Sequence, residues 1–182
     1  MKKYELTDET IEVYGTALHR IKALKDFGNV KKGELGGYVE SERNLSQEGN
    51  CWVYSNARVY SNARVYGNAW VYGNAWVCGN AKVFGNAEVY GNAWVYGNAE
   101  VYDNAKVCGN ADYITIKGLG SVCRNTTIFR TKGKNIAVKC GCFYGTLAEF
   151  VDKVKETHGN SKFAKEYLAL IDLVKIHFEL EE

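Results

Sequence analysis

Three histidines are the side chains of this sequence best suited to moving protons near neutral pH, and they lie far apart along the chain. His19 falls in a short alternating segment and is expected to be exposed. His158 stands in the context Thr-His-Gly, which indicates a helix C-terminus, where the helix dipole favours a positive charge. Neither these two nor His177 belongs to a catalytic motif. We therefore assign no catalytic residue, and we expect replacement of all three to leave biological activity intact.

Cysteines are the second group with possible chemistry. Cys140-Gly-Cys142 places two thiols on the same side of a predicted strand, and Cys123 or His158 could join them around a metal ion. Zinc sites usually use C-x₂-C or a longer spacing. The six cysteines and the absence of a secretory signal at the start favour free thiols in a reducing cytoplasm over disulfides. We predict no metal and no cofactor, with Cys140 and Cys142 as free thiols.

Most aromatic and charged side chains belong to a six-residue repeat. Residues 85–102 read GNAEVY GNAWVY GNAEVY, and eleven such units run from residue 49 to residue 114. Within a unit, a small residue, a variable residue, a valine and an aromatic residue alternate between inside and outside, as in a half-buried strand. Gly-Asn then permits the positive φ of a tight corner. Because all units have the same polarity, the strands are predicted to stack in parallel as a β-helix, with asparagine ladders at the corners.

The unit V-Y-G-N-A-x resembles the hexapeptide-repeat family, in which an aliphatic residue is followed four positions later by a small one. This resemblance implies a left-handed parallel β-helix with three hexads per triangular coil. The flanking segments 25–50 and 140–167 are similar to small proteins encoded by bacteriophages and prophages. That second resemblance implies no established activity. It is compatible with a protein of the host-cell cytoplasm that counteracts a host defence by sequestering a protein or a small nucleotide signal.

Three hexads per coil place every third unit on one face and create two faces with tryptophans. Trp52 and Trp70 are predicted to stack on neighbouring coils of the first face, and Trp76 and Trp94 on neighbouring coils of the second. Arg64, Lys82 and Glu100 leave the third face with charged variable positions only. The predicted binding or oligomer interface consists of Trp52, Trp70, Trp76, Trp94, Tyr54, Tyr72 and Tyr96.

Such aromatic faces are larger than the apolar patches that a monomer usually leaves exposed. A second copy of the chain, the C-terminal helices or a partner is expected to cover them, and the hexapeptide-repeat resemblance favours a homotrimer. Outward aromatics that merely suit strands are one alternative. Stacked nucleobases or sugars are another, which the scarcity of basic residues on these faces and the net charge of +2 make unfavourable.

The flanks of the repeat complete a mainly β fold. Residues 1–48 are predicted to form a β-hairpin around Tyr14-Gly15 and a segment that caps the β-helix of residues 49–114. Residues 115–182 are predicted to form a second hairpin and two helices that begin near Thr146 and Ser161. The chain contains no apolar run of the ~18 residues that a membrane span needs.

These observations predict a non-enzymatic β-helical scaffold that oligomerises and binds a host protein or a small molecule. A hexapeptide-repeat acyltransferase is the alternative. The resemblance implies that such an enzyme carries a histidine base on a coil or on a protruding loop. In this chain the repeat has no histidine and no insertion that could hold an acyl donor.

Overall fold

The N-terminal segment forms the predicted hairpin. Strands β1 (Tyr4–Val13) and β2 (Thr16–Ala23) pair antiparallel, and both residues of the connecting turn have positive φ, 49° at Tyr14 and 78° at Gly15. This is the backbone that two-residue hairpin turns favour. Strand β3 (Leu35–Val39) adds antiparallel to β2. The computed structural model describes residues 2–133 and 135–180.

The hexads form a parallel β-helix, in which each of the first ten contributes a two-residue strand made of the variable residue and the following valine. The strands are β4 (Trp52–Val53), β5 (Arg58–Val59), β6 (Arg64–Val65), β7 (Trp70–Val71), β8 (Trp76–Val77), β9 (Lys82–Val83), β10 (Glu88–Val89), β11 (Trp94–Val95), β12 (Glu100–Val101) and β13 (Lys106–Val107). Strands three hexads apart pair in parallel, which gives the stacks β4-β7-β10-β13, β5-β8-β11 and β6-β9-β12. Three hexads per coil are therefore confirmed.

Small and branched residues fill the interior of the coils. The repeat alanines from Ala57 to Ala105 and the repeat valines from Val53 to Val107 are at most 1% exposed. Backbone hydrogen bonds link successive coils, for example from the Arg58 nitrogen to the Ala75 oxygen at 2.9 Å. Because backbone pairing needs no particular side chain at the outward positions, the repeat can vary there freely.

The corners use backbone that glycine adopts easily. Gly67 has φ of 70°, and Ser61 and Asp103 take the same conformation, each with φ of 58°. Asparagine side chains form the predicted ladders: Asn62 Nδ2 donates to Asn80 Oδ1 at 3.2 Å, and Asn80 Nδ2 donates to Asn98 Oδ1 at 3.2 Å. Each ladder fixes the register of neighbouring coils.

The β-helix begins earlier and ends earlier than the repeat. Upstream, Val39 of β3 pairs in parallel with Val59, and Leu45 forms a parallel bridge with Val65. These partners are twenty residues apart rather than eighteen, so this first coil is out of phase with the hexads. Downstream, the eleventh hexad does not form the expected strand, because Asn110–Asp112 is a 3₁₀ turn. Tyr113 stands there in place of valine and is too large for the interior slot.

The N-terminal residues close the first end of the β-helix, as predicted. The Lys3 ammonium is buried and donates to the carbonyl oxygens of Cys51 at 3.0 Å and Glu48 at 3.3 Å. Burial lowers the pKa of Lys3, an effect that the neighbouring Cys51 thiol partly opposes. The hydroxyl of Tyr4 donates to the Leu45 carbonyl at 2.6 Å. Edge carbonyls that would otherwise face solvent or a neighbouring chain are thus satisfied.

The second compact unit of the chain starts at Ala111. Its elements are β14 (Tyr113–Leu119), β15 (Arg124–Arg130), β16 (Ile136–Cys140), β17 (Phe143–Thr146), α1 (Leu147–His158) and α2 (Lys162–His177). The hairpin β15-β16 is the predicted one, and β14 and β17 extend it to a four-stranded antiparallel sheet. Thr146 and Glu149 form the predicted capping box of α1, and Ser161 caps α2. In the described residues, no helix has the length and apolar character of a membrane span.

Candidate interaction surface

The first tryptophan of the repeat is not on the surface. Trp52 is 0% exposed, and its ring packs edge-on against Phe27 at 5.3 Å and Tyr4 at 6.0 Å between centroids. The N-terminal segment therefore covers the first coil of this face. The prediction of Trp52 as an interface residue is wrong. Its predicted stack on Trp70 is also replaced, since the Trp70 ring packs edge-on against Tyr54 at 6.0 Å.

The remaining side chains of the first face, apart from the exposed Cys108, are half-buried, and several of them contact one another. Tyr72 stacks on Tyr90 at 4.9 Å, and its hydroxyl donates to Glu88 at 2.9 Å. Glu88 also forms an ion pair with Lys106 at 3.0 Å. Burial, reinforced by the hydrogen bond to Glu88, raises the pKa of Tyr72. The polar groups of Tyr72, Glu88 and Lys106 are therefore paired with one another within the first face.

The second face carries the aromatic stack that the repeat predicts. Trp76 and Trp94 lie 4.9 Å apart with nearly parallel rings, at an interplanar angle of 17°. The guanidinium of Arg58 sits 4.9 Å from the Trp76 ring centre, so a cation covers the start of the stack. At the other end of the stack, Trp94 is 40% exposed and Tyr96 is 55% exposed.

The tip of the β1-β2 hairpin extends this aromatic surface. The Tyr14 ring lies 5.9 Å from that of Trp76 and is itself 78% exposed. Tyr14, Trp76, Trp94 and Tyr96 together are called the aromatic face below. The contribution of Tyr14 was not expected from the sequence, because the hairpin position gives no sign of which part of the β-helix it will contact.

The third face carries charged side chains at its variable positions and a row of aromatic side chains beside them. Lys82 and Glu100 form the expected solvent-exposed ion pair at 3.0 Å. Next to this pair, Tyr66, Phe84 and Tyr102 stack with 4.7 Å between successive centroids. Burial raises the pKa of Tyr102 to about 12, with contributions from Asp103 and Glu100. Every face of the β-helix therefore contains an aromatic row, and only on the second face do tryptophans stack on each other.

The three histidines occupy separate places in the described structure. His19 is half-buried rather than exposed, and its Nδ1 lies 3.1 Å from the Thr7 carbonyl oxygen. His158 ends α1 as predicted and stacks on Tyr167 at 5.8 Å. His177 Nε2 lies 2.9 Å from the carbonyl oxygen of Ala111. None of them belongs to a hexad, so the described coils hold no imidazole base.

A small cavity of about 200 Å³ in the second unit brings His158 together with Cys140 and Cys142. Cys140 is buried, and its sulfur accepts a hydrogen bond from the Thr126 hydroxyl at 3.2 Å. Cys142 is exposed, whereas Cys123 is not part of the cavity lining. Among residues 2–133 and 135–180, no group of three or more His, Cys, Asp or Glu side chains is arranged to hold a metal ion. Free thiols remain our prediction for this cavity.

Comparison with known proteins agrees with the class that this geometry defines, a β-solenoid of the hexapeptide type. A family model described as the YdcK β-solenoid repeat matches residues 63–79. The chain is also 40% identical over 62 residues to the "Uncharacterized acetyltransferase YdcK" of Escherichia coli (strain K12). That similarity covers 30% of this chain and 19% of the relative, so the match spans about a fifth of the length of YdcK. Neither comparison supports a phage origin.

Proposed function

We propose that this protein is a non-enzymatic β-helical scaffold that self-associates through its aromatic face. The observation that carries the proposal is the exposed end of the Trp76–Trp94 stack, where Trp94 and Tyr96 face solvent side by side. Tryptophan and tyrosine bury large areas at low entropic cost and dominate the energetics of interfaces. A scaffold that leaves such a row exposed has a surface suited to binding.

A second copy of the chain is the occupant that best fits the aromatic face. The rings repeat at the spacing of the coils, 4.9 Å between Trp76 and Trp94, so the same face of another copy presents rings at an identical pitch. Identical periods allow the two rows to interdigitate along their whole length. Between residues 58 and 96, the outward hexad positions of the second face include one cation, Arg58, and no carboxylate. The resemblance to hexapeptide-repeat proteins favours a homotrimer, in which three copies turn this face toward a common axis.

Acetyl transfer is the second candidate function, and one observation favours it: the partial relative YdcK is named as an acetyltransferase. The geometry of this chain supplies little for that chemistry, since His19, His158 and His177 all lie outside the hexads. Incubation of the purified protein with acetyl coenzyme A and a panel of amine and hydroxyl acceptors tests this candidate. Turnover that disappears when the three histidines are replaced in a folded variant would establish the enzyme function and contradict the scaffold proposal.

Sedimentation across a concentration series tests self-association. We expect the wild-type chain to form an oligomer and Trp94→Ala to weaken it by about thirtyfold, since the truncation of a buried anchor costs about 2 kcal/mol. Lys82→Ala on the third face serves as the control and is expected to leave the association constant unchanged.

Trp70→Ala discriminates between the two tryptophan faces in the same experiment. Because Trp70 packs within the first face, its truncation is expected to leave the association constant unchanged. A wild-type chain that stays monomeric at high concentration would contradict the proposal, and so would an oligomer sensitive to Trp70→Ala but insensitive to Trp94→Ala.

A further inference from the structure

The aromatic row of the third face is one ring short at its N-terminal end. Tyr66, Phe84 and Tyr102 stack on successive coils with centroids 4.7 Å apart. One coil earlier, Leu45 bridges in parallel to Val65, and the Ser46 nitrogen donates to the Val65 oxygen at 2.9 Å. Ser46 therefore stands where the row would place its next aromatic residue. We call the space above Ser46 and beside the Tyr66 ring the vacant rung.

The vacant rung lies within a concavity of about 580 Å³, which is lined by Arg43, Ser46, Arg64, Val65, Tyr66 and Lys82. This volume lies within the usual range of small-molecule sites, about 300 to 1,000 Å³. One wall of the concavity is the Tyr66 ring, whose only described ring contact is with Phe84 on the opposite side. Ser46 is small where the following coils carry an aromatic ring, and this difference leaves the space open.

The charged side chains that line the concavity are positive. Lys82 is paired with Glu100 at 3.0 Å, whereas Arg43 and Arg64 are exposed and form no ion pair with any residue in the described ranges 2–133 and 135–180. Two free guanidinium groups at the edge of a cavity are suited to a phosphate or a carboxylate, because they can donate two parallel hydrogen bonds to either. Burial raises the pKa of Tyr66. Lys82 and Arg64 oppose this rise, whereas Glu100 adds to it.

We propose that the vacant rung binds a planar aromatic anion. The ring of the ligand stacks on Tyr66 and completes the aromatic row, while its negative group lies between Arg43 and Arg64. A nucleoside monophosphate and an aromatic carboxylate share this chemistry. The site lies on the third face, separate from the aromatic face of the second, so its existence does not depend on self-association.

Calorimetric titration of the full-length protein with adenosine 5′-monophosphate tests the site. Two compounds serve as controls: ribose 5-phosphate lacks the aromatic base, and adenosine lacks the phosphate. Each compound is expected to bind at least about tenfold more weakly than the nucleotide. Ribose 5-phosphate loses the stacking of the base, adenosine loses the hydrogen bonds to a charged group, and either loss is large enough to lower the affinity about tenfold. Titration with indole-3-acetate shows whether the site accepts an aromatic carboxylate as well as a phosphate. Affinity comparable to that of the nucleotide identifies aromatic carboxylates as ligands, and much weaker binding restricts the site to phosphates.

Two variants remove the site in different ways. Arg64→Ala withdraws one guanidinium and is expected to weaken binding by about tenfold. Ser46→Phe fills the vacant rung with a ring of the protein itself and is expected to abolish binding without a loss of melting temperature. Lys106→Ala removes one positive charge from the first face and serves as the matched control, with unchanged affinity.

Three results would overturn the proposal. The first is ribose 5-phosphate binding as tightly as the nucleotide, which would show a plain anion site. The second is full affinity in Ser46→Phe, or in Arg64→Ala if the first variant does not fold. The third is the absence of any binding heat with both the nucleotide and indole-3-acetate.

Discussion

Trp52 and Trp94 occupy the same position of the hexad and have opposite environments. Trp52 lies beneath Tyr4 and Phe27, whereas Trp94 is 40% exposed. The indole nitrogen of Trp52 is buried without a hydrogen-bond partner in the described residues. The same outward position of the repeat thus holds the N-terminal segment on the coils at Trp52 and lies in the proposed interface at Trp94.

Trp52→Ala should lower the free energy of unfolding by about 3 to 5 kcal/mol, because it leaves a cavity under the N-terminal segment. Trp94→Ala, at a position open to solvent, should cost the monomer under about 1 kcal/mol. Urea denaturation at low protein concentration measures both. Trp52→Phe is a control that keeps most of the packing and removes the unpaired indole N–H, so it should lose much less than the alanine variant. Equal losses for Trp52→Ala and Trp94→Ala would contradict the assignment of Trp52 to the core.

The sequence predicts the stack of Trp76 on Trp94 because both lie in one uninterrupted period. It does not predict the burial of Trp52. The residues that cover this side chain, Tyr4 and Phe27, belong to a non-repetitive segment whose path over the first coil depends on tertiary packing. For the same reason, the sequence does not predict the contact between Tyr14 and Trp76.

Each hexad is an element with a strict division between inside and outside. Valine and alanine fill an interior where residues of the three faces meet, and the variable position faces outward. This division follows from the period of two within a strand, and the ten strands from β4 to β13 confirm it. The eleventh hexad fails because tyrosine occupies the valine position. The additional coil at Val39 and Leu45 was missed because its residues lie twenty rather than eighteen residues before their partners Val59 and Val65, which takes them out of phase with the hexads.

Val77→Asp should unfold the β-helix, because it buries an unpaired charge at a position that is 0% exposed. Lys82→Asp, at an exposed outward position, should cost under about 1 kcal/mol even though it faces Glu100 on the next coil. Circular dichroism during thermal unfolding distinguishes the two variants. Similar melting temperatures for both would show that the inward and outward positions have been assigned wrongly.

The cysteines of the second unit provide a prediction at the same scale. The protein purified without added metal should contain well under one zinc ion per chain, and Cys140→Ser should barely change the melting temperature. The reason is that the Cys140 sulfur is bound by a neutral Thr126 hydroxyl rather than held in a set of metal ligands. Elemental analysis and a melting curve provide the check. Stoichiometric zinc that is lost with this substitution would contradict the free-thiol assignment.

The whole β-helix carries tyrosines whose hydroxyl groups are partly removed from water on all three faces. Burial is the largest cause of the raised pKa of each of them: Tyr54, Tyr60, Tyr66, Tyr72 and Tyr102. The neutral phenol is the form that the folded state accepts. In the unfolded chain these groups lose their protons near the usual pKa of tyrosine, about 10.

Stability should therefore be nearly constant up to about pH 9.5 and should fall above the unfolded pKa of about 10, where the unfolded chain binds fewer protons than the folded one. For Tyr102, the loss extends up to its folded pKa of about 12. The lowered pKa of Lys3 has the opposite effect, because it makes stability rise with pH. This effect ends once the pH passes the usual pKa of lysine, so one lysine does not offset the loss from five tyrosines. Urea midpoints measured from neutral to alkaline pH test this, with Tyr102→Phe expected to reduce the slope. A stability that rises through the same interval would contradict the prediction.

Self-association through the aromatic face is the central claim at the scale of the molecule, and site-directed cross-linking measures it most directly. In a background without Cys78, Cys108, Cys123 and Cys142, Tyr96→Cys introduces one accessible thiol on the second face, and Glu100→Cys introduces one on the third. A short bismaleimide should link chains rapidly through position 96 and barely through position 100. Equal or faster linking through position 100, or no linking through either position at concentrations where the wild-type chain is oligomeric, would contradict the account.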